Sequence, residues 1–204
     1  MNNSIQKKIL IFIPAYNVEK QILRVLKRMP IQLLNEHFIR ILIIEDCSKD
    51  NTKKIIENYI KTIANKNSMQ FIKNEKNYGY GGVQKIAFNY ALKNDFDYVI
   101  MLHGDDQYEP EKIPIFISNL LNSGADAVFG SRFINPKEPL KNGMPFNRYI
   151  GNRIVTFIQN MIVGTKMTEF HSGYRSYKID VLKKINFEKN SNDFCFDSEI
   201  IVQM

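Results

Sequence analysis

The chain has 204 residues, 44% apolar, 12% aromatic and 24% charged, the composition of one large globular domain. Its apolar runs, such as Ile9–Ile13 and Ile41–Ile44, are far shorter than the ~18 residues a membrane span needs. The formal charge of +7 comes mostly from lysines scattered over helical faces, without a basic block, which argues against a nucleic-acid binder and leaves a phosphorylated small substrate. Arginine is scarce, at seven, so an Arg in a loop is worth weighing as a phosphate ligand. Cys47 and Cys195 form neither a disulfide framework nor a CxxC pair, which suits a reducing cytoplasmic setting.

The elements alternate. Lys7 and Lys8 lead into an apolar run ending at Pro14, too short for a signal peptide, which reads as a first strand over 7–14. Helical spacing follows at Val18, Ile22, Val25, Leu26 and Met29 and stops at Pro30. A second strand spans 38–46, and Asp50-Asn51-Thr52 offers a cap for the helix carrying Ile55, Ile56, Tyr59, Ile60 and Ile63. A third strand, 69–73, runs into a glycine-rich loop and a helix from Val83. Residues 98–102 form a fourth strand, Pro110 opens another helix, and 125–131 supply a fifth strand. Such alternation predicts an α/β fold with a largely parallel sheet covered on both faces, and ligands at the strands' carboxyl ends. Beyond residue 131, prolines mark a long loop, then a helical stretch at 149–163, the segment SGYRSYK (172–178) and the cluster NDFCFDSE (192–199).

The strand-end loops carry the chemistry. Pro14, Tyr16, Asn17 and Glu19 suit a flat pocket for a base and ribose, with Asn17 as an ordinary helix cap the plain alternative. Asp46 and Ser48 are candidate nucleoside contacts, and Asp50 is read as a cap. In Asn77-Tyr78-Gly79-Tyr80-Gly81-Gly82, glycines before a helix would let amides approach a phosphate, although the spacing is not that of a P-loop. His103-Gly104-Asp105-Asp106-Gln107 places three ligand atoms on alternate residues, a pattern suited to Mg²⁺ or Mn²⁺ shared with substrate phosphates. Arg132, in Gly130-Ser131-Arg132, is a candidate for bidentate pairing with a diphosphate, against a solvent salt bridge.

Six motifs in this order, IPAYNVE (13–19), IIEDCSKDNT (43–52), NYGYGG (77–82), HGDDQYEP (103–110), GSR (130–132) and FHSGYRSYK (170–178), resemble those of the family 2 glycosyltransferases. The subgroup resembled includes dolichol-phosphate mannosyltransferases and bacterial polyprenyl-phosphate glycosyltransferases. The resemblance covers essentially the whole chain. It implies a GT-A, Rossmann-like fold with 1–131 as the nucleotide-sugar half and 132–204 as an acceptor and lid half, cut short at its C-terminus. It implies inverting transfer from a UDP- or GDP-sugar to a polyprenyl phosphate or a glycan, dependent on a divalent ion, at the cytoplasmic face of a membrane. By position, Pro14, Tyr16, Glu19 and Asp46 would line the nucleoside site, and Asp105 and Gln107 would match the metal-binding part of a D-x-D-x-Q pattern whose first Asp is here His103.

Asp197 and Glu199 would be the rival acidic residues on the acceptor side, with helix-capping by Asp197 as an alternative; Arg175 would be a phosphate ligand and His171 a supporting residue. The apolar stripe Ile150, Ile154, Phe157, Ile158, Met161 and Ile162 beside Arg148 and Arg153 is expected to be ordinary core, although in relatives a helix here can approach the membrane. Two other readings are a non-catalytic nucleotide-sugar-binding fragment and a nucleotidyltransferase. The latter would more usually place a Gly- and Lys/Arg-rich loop where this chain has PAYNVE.

Overall fold

The computed structural model describes residues 6–30, 38–63 and 68–204. Six strands, β1 (Lys8–Ala15), β2 (Phe38–Glu45), β3 (Met69–Lys73), β4 (Tyr98–Met101), β5 (Ala127–Phe129) and β6 (Arg175–Lys178), form one sheet in the order β3-β2-β1-β4-β6-β5. β1 lies parallel to both β2 and β4, with Ile11 opposite Ile41 on one side and Ile100 on the other. The reason is visible in β1 itself, an almost continuous apolar run suited to burial on both faces. Ile9, Ile11 and Ile13 pack on one face with Ile22 and Val25 of α1 (Ile22–Lys27), Ile56 of α2 (Thr52–Thr62) and Ile117 of α4 (Ile113–Ser123). Leu10 and Phe12 pack on the other with Val83 and Phe88 of α3 (Gly79–Lys93) and Phe196 and Ile200 of α8 (Phe196–Gln203).

The parallel strands fall where the alternation placed them. β6 does not: residues 175–178 insert between β4 and β5 and run antiparallel to both. Four residues with an Arg and a Lys give no apolar run to read, and the pairing comes from tertiary contact. The remaining helices are α5 (Glu138–Lys141), α6 (Phe146–Val163) and α7 (Ile179–Leu182).

α6 corrects the expectation of core packing. Its one buried residue is Thr156, while Phe146, Ile154, Phe157, Met161 and Ile162 are exposed. Among the described residues no helix is long and apolar enough to cross a membrane.

Candidate active site

The carboxyl ends of β1, β2 and β4 open into a cavity of about 440 Å³. β1 contributes Pro14, Ala15 and Tyr16; the β2 end contributes Asp46; the entry to α3 contributes Asn77, Gly79 and Tyr80. The β4 loop brings His103, Gly104 and Asp105, and a wall comes from Asn192, Asp193 and Phe194, more than 85 residues further along. Three aspartates therefore line the cavity, and among the described lining residues there is no Lys or Arg.

Asp46 is buried, with Oδ1 accepting from Asn74 Nδ2 (2.7 Å) and the Tyr78 amide (2.9 Å), and Oδ2 from the Gly79 amide (2.9 Å). Three donors fix the carboxylate at the cavity edge, where it holds the glycine loop in place. Gly79 and Gly82 correct the phosphate-cradle reading. The Gly79 amide is taken by Asp46 and the Gly81 amide by the Asn192 carbonyl (2.8 Å), and Gly82 does not line the cavity. The glycines serve close approach: a Cβ on Gly81 would stand 2.8 Å from Phe196 Cβ and closer still to the Ser191 carbonyl oxygen. Likewise, a Cβ on Gly104 would meet the Pro14 carbonyl oxygen at 2.9 Å.

Asn17, Glu19 and Ser48 do not line the cavity; they join two loops behind it. Ser48 Oγ accepts from the Asn17 amide (3.0 Å), Asn17 Oδ1 from the Lys49 amide (2.9 Å), and Glu19 Oε2 from the Asn51 amide (2.9 Å). Asn17 is therefore no helix cap. Asp50 is not the N-cap of α2 either: that position is Asn51, and Asp50, one residue before it, accepts from the Thr52 amide at 2.9 Å.

At the β4 end, Asp105 faces the cavity. Burial pushes its carboxyl pKa up, but the nearby His103 imidazole and the hydrogen bond from the Gln107 amide outweigh this and hold it below the usual value. His103 Nδ1 lies 3.9 Å from Asp105 Oδ2, and its Nε2 lies 3.3 Å from Tyr80 Oη, so protein groups face both ring nitrogens. Gln107 is exposed and does not line the cavity. No group of three or more His, Cys, Asp or Glu among the described residues forms a cation cage. One ionised carboxylate in an acidic cavity without a Lys or Arg in its described lining still fits a hard divalent ion that takes its other ligands from a diphosphate and water.

The acceptor-side candidates sit elsewhere. Arg175 is 0% exposed, and its nitrogens donate to the carbonyls of Ser172 (2.7 Å), Asp197 (2.7 Å) and Phe170 (2.5 Å), which corrects its reading as a phosphate ligand. Asp197, 3.3 Å from Arg175 Nε, also accepts from Tyr80 Oη (2.9 Å) and Gln84 Nε2 (2.9 Å). Burial and the charge of Asp197 push the Tyr80 phenol far above its ordinary pKa, so it stays a donor. Glu199 accepts from both the amide and the hydroxyl of Ser191 (2.7 and 2.5 Å). Neither acid lines the cavity. Arg132 is paired with the buried Glu169, Nε to Oε1 at 2.9 Å, in place of the diphosphate contact expected for it.

Sequence reasoning missed Tyr80 and the 192–194 wall. Phe194, 77% exposed, packs on Tyr80 with ring centroids 4.8 Å apart and the planes tilted by 30°. The available signal was the pairing of glycines in one loop with a distant acidic-aromatic cluster, which spacing alone does not connect.

Known proteins share this architecture. Solved structures include glucosyl-3-phosphoglycerate synthase of Mycobacterium tuberculosis in complex with Mn²⁺, UDP and phosphoglyceric acid (TM-score 0.66, 15% identity, 96% of this chain and 63% of that one). Another is S. aureus TarS 1-349 (TM-score 0.59, 21% identity, 95% and 54%). The chain thus spans between half and two thirds of these structures, and at such identities the likeness concerns the fold. In sequence it is 32% identical to a UDP-N-acetylglucosamine–dolichyl-phosphate N-acetylglucosaminyltransferase of Methanococcus voltae, over 96% of this chain and 79% of that protein. It is 22% identical to a polyprenol monophosphomannose synthase of Mycolicibacterium smegmatis, over 95% and 71%. The family model described as glycosyl transferase family 2 matches residues 10–186, from the first strand to just beyond α7, and the chain belongs to that family.

Proposed function

We propose that this protein transfers a sugar from a nucleotide-diphosphate donor to a polyprenyl phosphate, with inversion and with the help of a divalent cation. The observation that carries the reading is the cavity's charge: Asp46, Asp105 and Asp193 line it without a Lys or Arg among the described lining residues. A diphosphate placed ~4 Å from one such carboxylate meets a repulsion of about 4 kcal/mol per charge pair at an effective dielectric near 20. Binding therefore calls for a cation between them. Asp105 would hold it, with Gln107 or His103 as ligands only after a side-chain rearrangement. Mg²⁺ or Mn²⁺ there would neutralise charge on the departing diphosphate.

The protein's own groups do the rest. Pro14, Tyr16, Asp46 and Asn77 line the end assigned to the nucleoside, and the buried Asp46 holds Gly79 against it. The sugar's anomeric carbon separates from the diphosphate oxygen as an acceptor oxygen attacks from the opposite face. Asp197 and Glu199 are engaged by the chain and not available as bases. An acceptor that is already anionic, a phosphate, needs none. A hydroxyl acceptor is the second reading, favoured by one observation: Asp193 is exposed on the cavity wall. Calorimetry with UDP-, GDP- and dTDP-sugars, with and without Mn²⁺, tests the donor. Absence of nucleotide binding in every condition defeats the proposal. Transfer to a polyprenyl phosphate versus a sugar hydroxyl decides the acceptor.

The exposed apolar face of α6, flanked by exposed Arg148 and Arg153, supports a peripheral contact with an anionic membrane, where a lipid-linked acceptor would be presented.

A further inference from the structure

The β4 loop carries two adjacent aspartates, and the structure separates them. Asp105 faces the cavity, whereas Asp106 has a left-handed backbone (φ 63°) and a side chain 15% exposed. Left-handed φ is uncommon for a non-glycine residue and persists when its surroundings hold it. The holder is the last turn of α1. Arg28 Nη1 donates to Asp106 Oδ1 (2.7 Å), and Arg24 Nε lies 3.2 Å from Oδ2. Arg28 also grips both oxygens of Glu111, in the turn that leads into α4, with Nε to Oε1 at 2.7 Å and Nη2 to Oε2 at 2.8 Å. Arg24 lies in the last turn and Arg28 at the C-cap, while Ile22, Val25 and Leu26 anchor the helix in the core. A lone surface ion pair contributes little, but this one is a network with a bidentate fork that joins α1, the β4 loop and the start of α4.

We propose that Arg28, assisted by Arg24, is a positioning residue for the donor site: it pins Asp106 to the outer side of the loop and thereby sets Asp105 toward the cavity. This rests on the reading that Asp105 holds the divalent ion. Without the clamp, the 105–107 turn loses its fixed outer contact, and Asp105 no longer has one orientation for the ion. Arg28 does not line the cavity. It acts through Asp106.

The test is Mn²⁺ binding to the full chain in the presence of UDP, read by electron paramagnetic resonance of the free ion, alongside donor kinetics. Losing a group that orients a metal ligand commonly weakens metal binding by about 10–100-fold. Arg28→Ala is expected to weaken Mn²⁺ binding about tenfold, and Asp106→Asn, which tolerates left-handed φ and keeps one acceptor oxygen but loses the charge, to weaken it about threefold. The double variant should be about as weak as Arg28→Ala alone, because both act on the shared Arg28–Asp106 contact. Arg28→Lys, a point charge without the fork, should fall between wild type and Arg28→Ala. Unchanged Mn²⁺ affinity in folded Arg28→Ala or in Asp106→Asn overturns the proposal, as does a double variant whose losses multiply. Asp105→Asn separates the two levels: if it binds Mn²⁺ as wild type does, the reading of the site fails; if it loses binding while Arg28→Ala does not, only the clamp fails.

Discussion

Replacing Asp197 with alanine should cost the protein its stability before it costs any chemistry. Asp197 is the charge partner of Arg175, whose side chain is 1% exposed, and it accepts from Tyr80 and Gln84 as well. Breaking a buried ion pair by removing one partner destabilises by about 3–5 kcal/mol. Three backbone carbonyls continue to hold the guanidinium, which argues for the low end, about 3 kcal/mol. Tyr80 and Gln84 each lose an acceptor, at roughly 1 kcal/mol or less where water or the vacated space relieves them. A total near 4 kcal/mol lowers the melting temperature of a chain of this size by ~8–16 °C. Thermal unfolding followed by circular dichroism measures this directly, and Asp197→Asn, which keeps the side chain's shape and one acceptor oxygen, should fall roughly half as far. The opposite pattern refutes the reasoning: a melting temperature within ~2 °C of wild type together with abolished transfer would make Asp197 a catalytic base and not a brace.

Gly81→Ala should displace the 191–196 segment from α3, because the new Cβ meets backbone at Ser191 and Phe196 Cβ at 2.8 Å; nucleotide affinity is expected to drop at least tenfold, read by calorimetry. Charge on the exposed face of α6 should leave stability within about 0.5 kcal/mol: Ile154→Glu with Phe157→Glu is expected to melt like wild type and to lose sedimentation with anionic vesicles, and retained sedimentation would remove α6 from the membrane contact. His171 has its pKa lowered by burial and then by the positive charge of Arg175. The neutral form is therefore favoured in the folded state, and the contribution is present above the unfolded value near 6.5 and lost as pH falls through the folded one. Urea midpoints should accordingly fall on acidification from about pH 7.5 to 5.5, and His171→Gln should flatten that fall; identical slopes would show that His171 carries none of it.

The sheet was legible because it is buried on both faces. Runs such as Ile9–Ile13 and Ile41–Ile44 have no amphipathic alternative, and the glycine, proline and acidic residues after them mark the strand ends. The motifs were legible as an ordered set: of the residues assigned to the nucleoside, Pro14, Tyr16 and Asp46 line the cavity while Asn17, Glu19 and Ser48 do not, and Asn77, Gly79 and Gly104 from the next two loops join them. What the sequence withheld was partnership. Arg175 is written like a ligand, yet three carbonyls and Asp197 enclose it; Arg132 faces Glu169 across 37 residues; Gly79 and Gly81 answer to Asn192 and not to a phosphate. Each depends on a contact between distant segments, and no local pattern encodes which of several possible acceptors a donor will find. The exposed stripe of α6 fails for the reverse reason: helical periodicity reports that a face is apolar but not what covers it.

These two kinds of partnership divide the chain's charge into two populations. The net charge of +7 suggests an anion binder, but the cavity lining carries three aspartates and no Lys or Arg among the described residues. Arg24 and Arg28 are tied to Asp106 and Glu111, Arg132 to Glu169 and Arg175 to Asp197, so the arginines nearest the site neutralise the protein's own acids. The remaining excess is lysine-rich and solvated, and at physiological salt its pull fades beyond ~8 Å. It can draw a phosphorylated ligand or an anionic surface toward the protein, but it cannot stabilise charge at a bond that breaks inside the cavity. In the proposed mechanism, a chain that reserves its cations for bracing takes the positive charge for catalysis from a divalent ion that arrives with the nucleotide diphosphate.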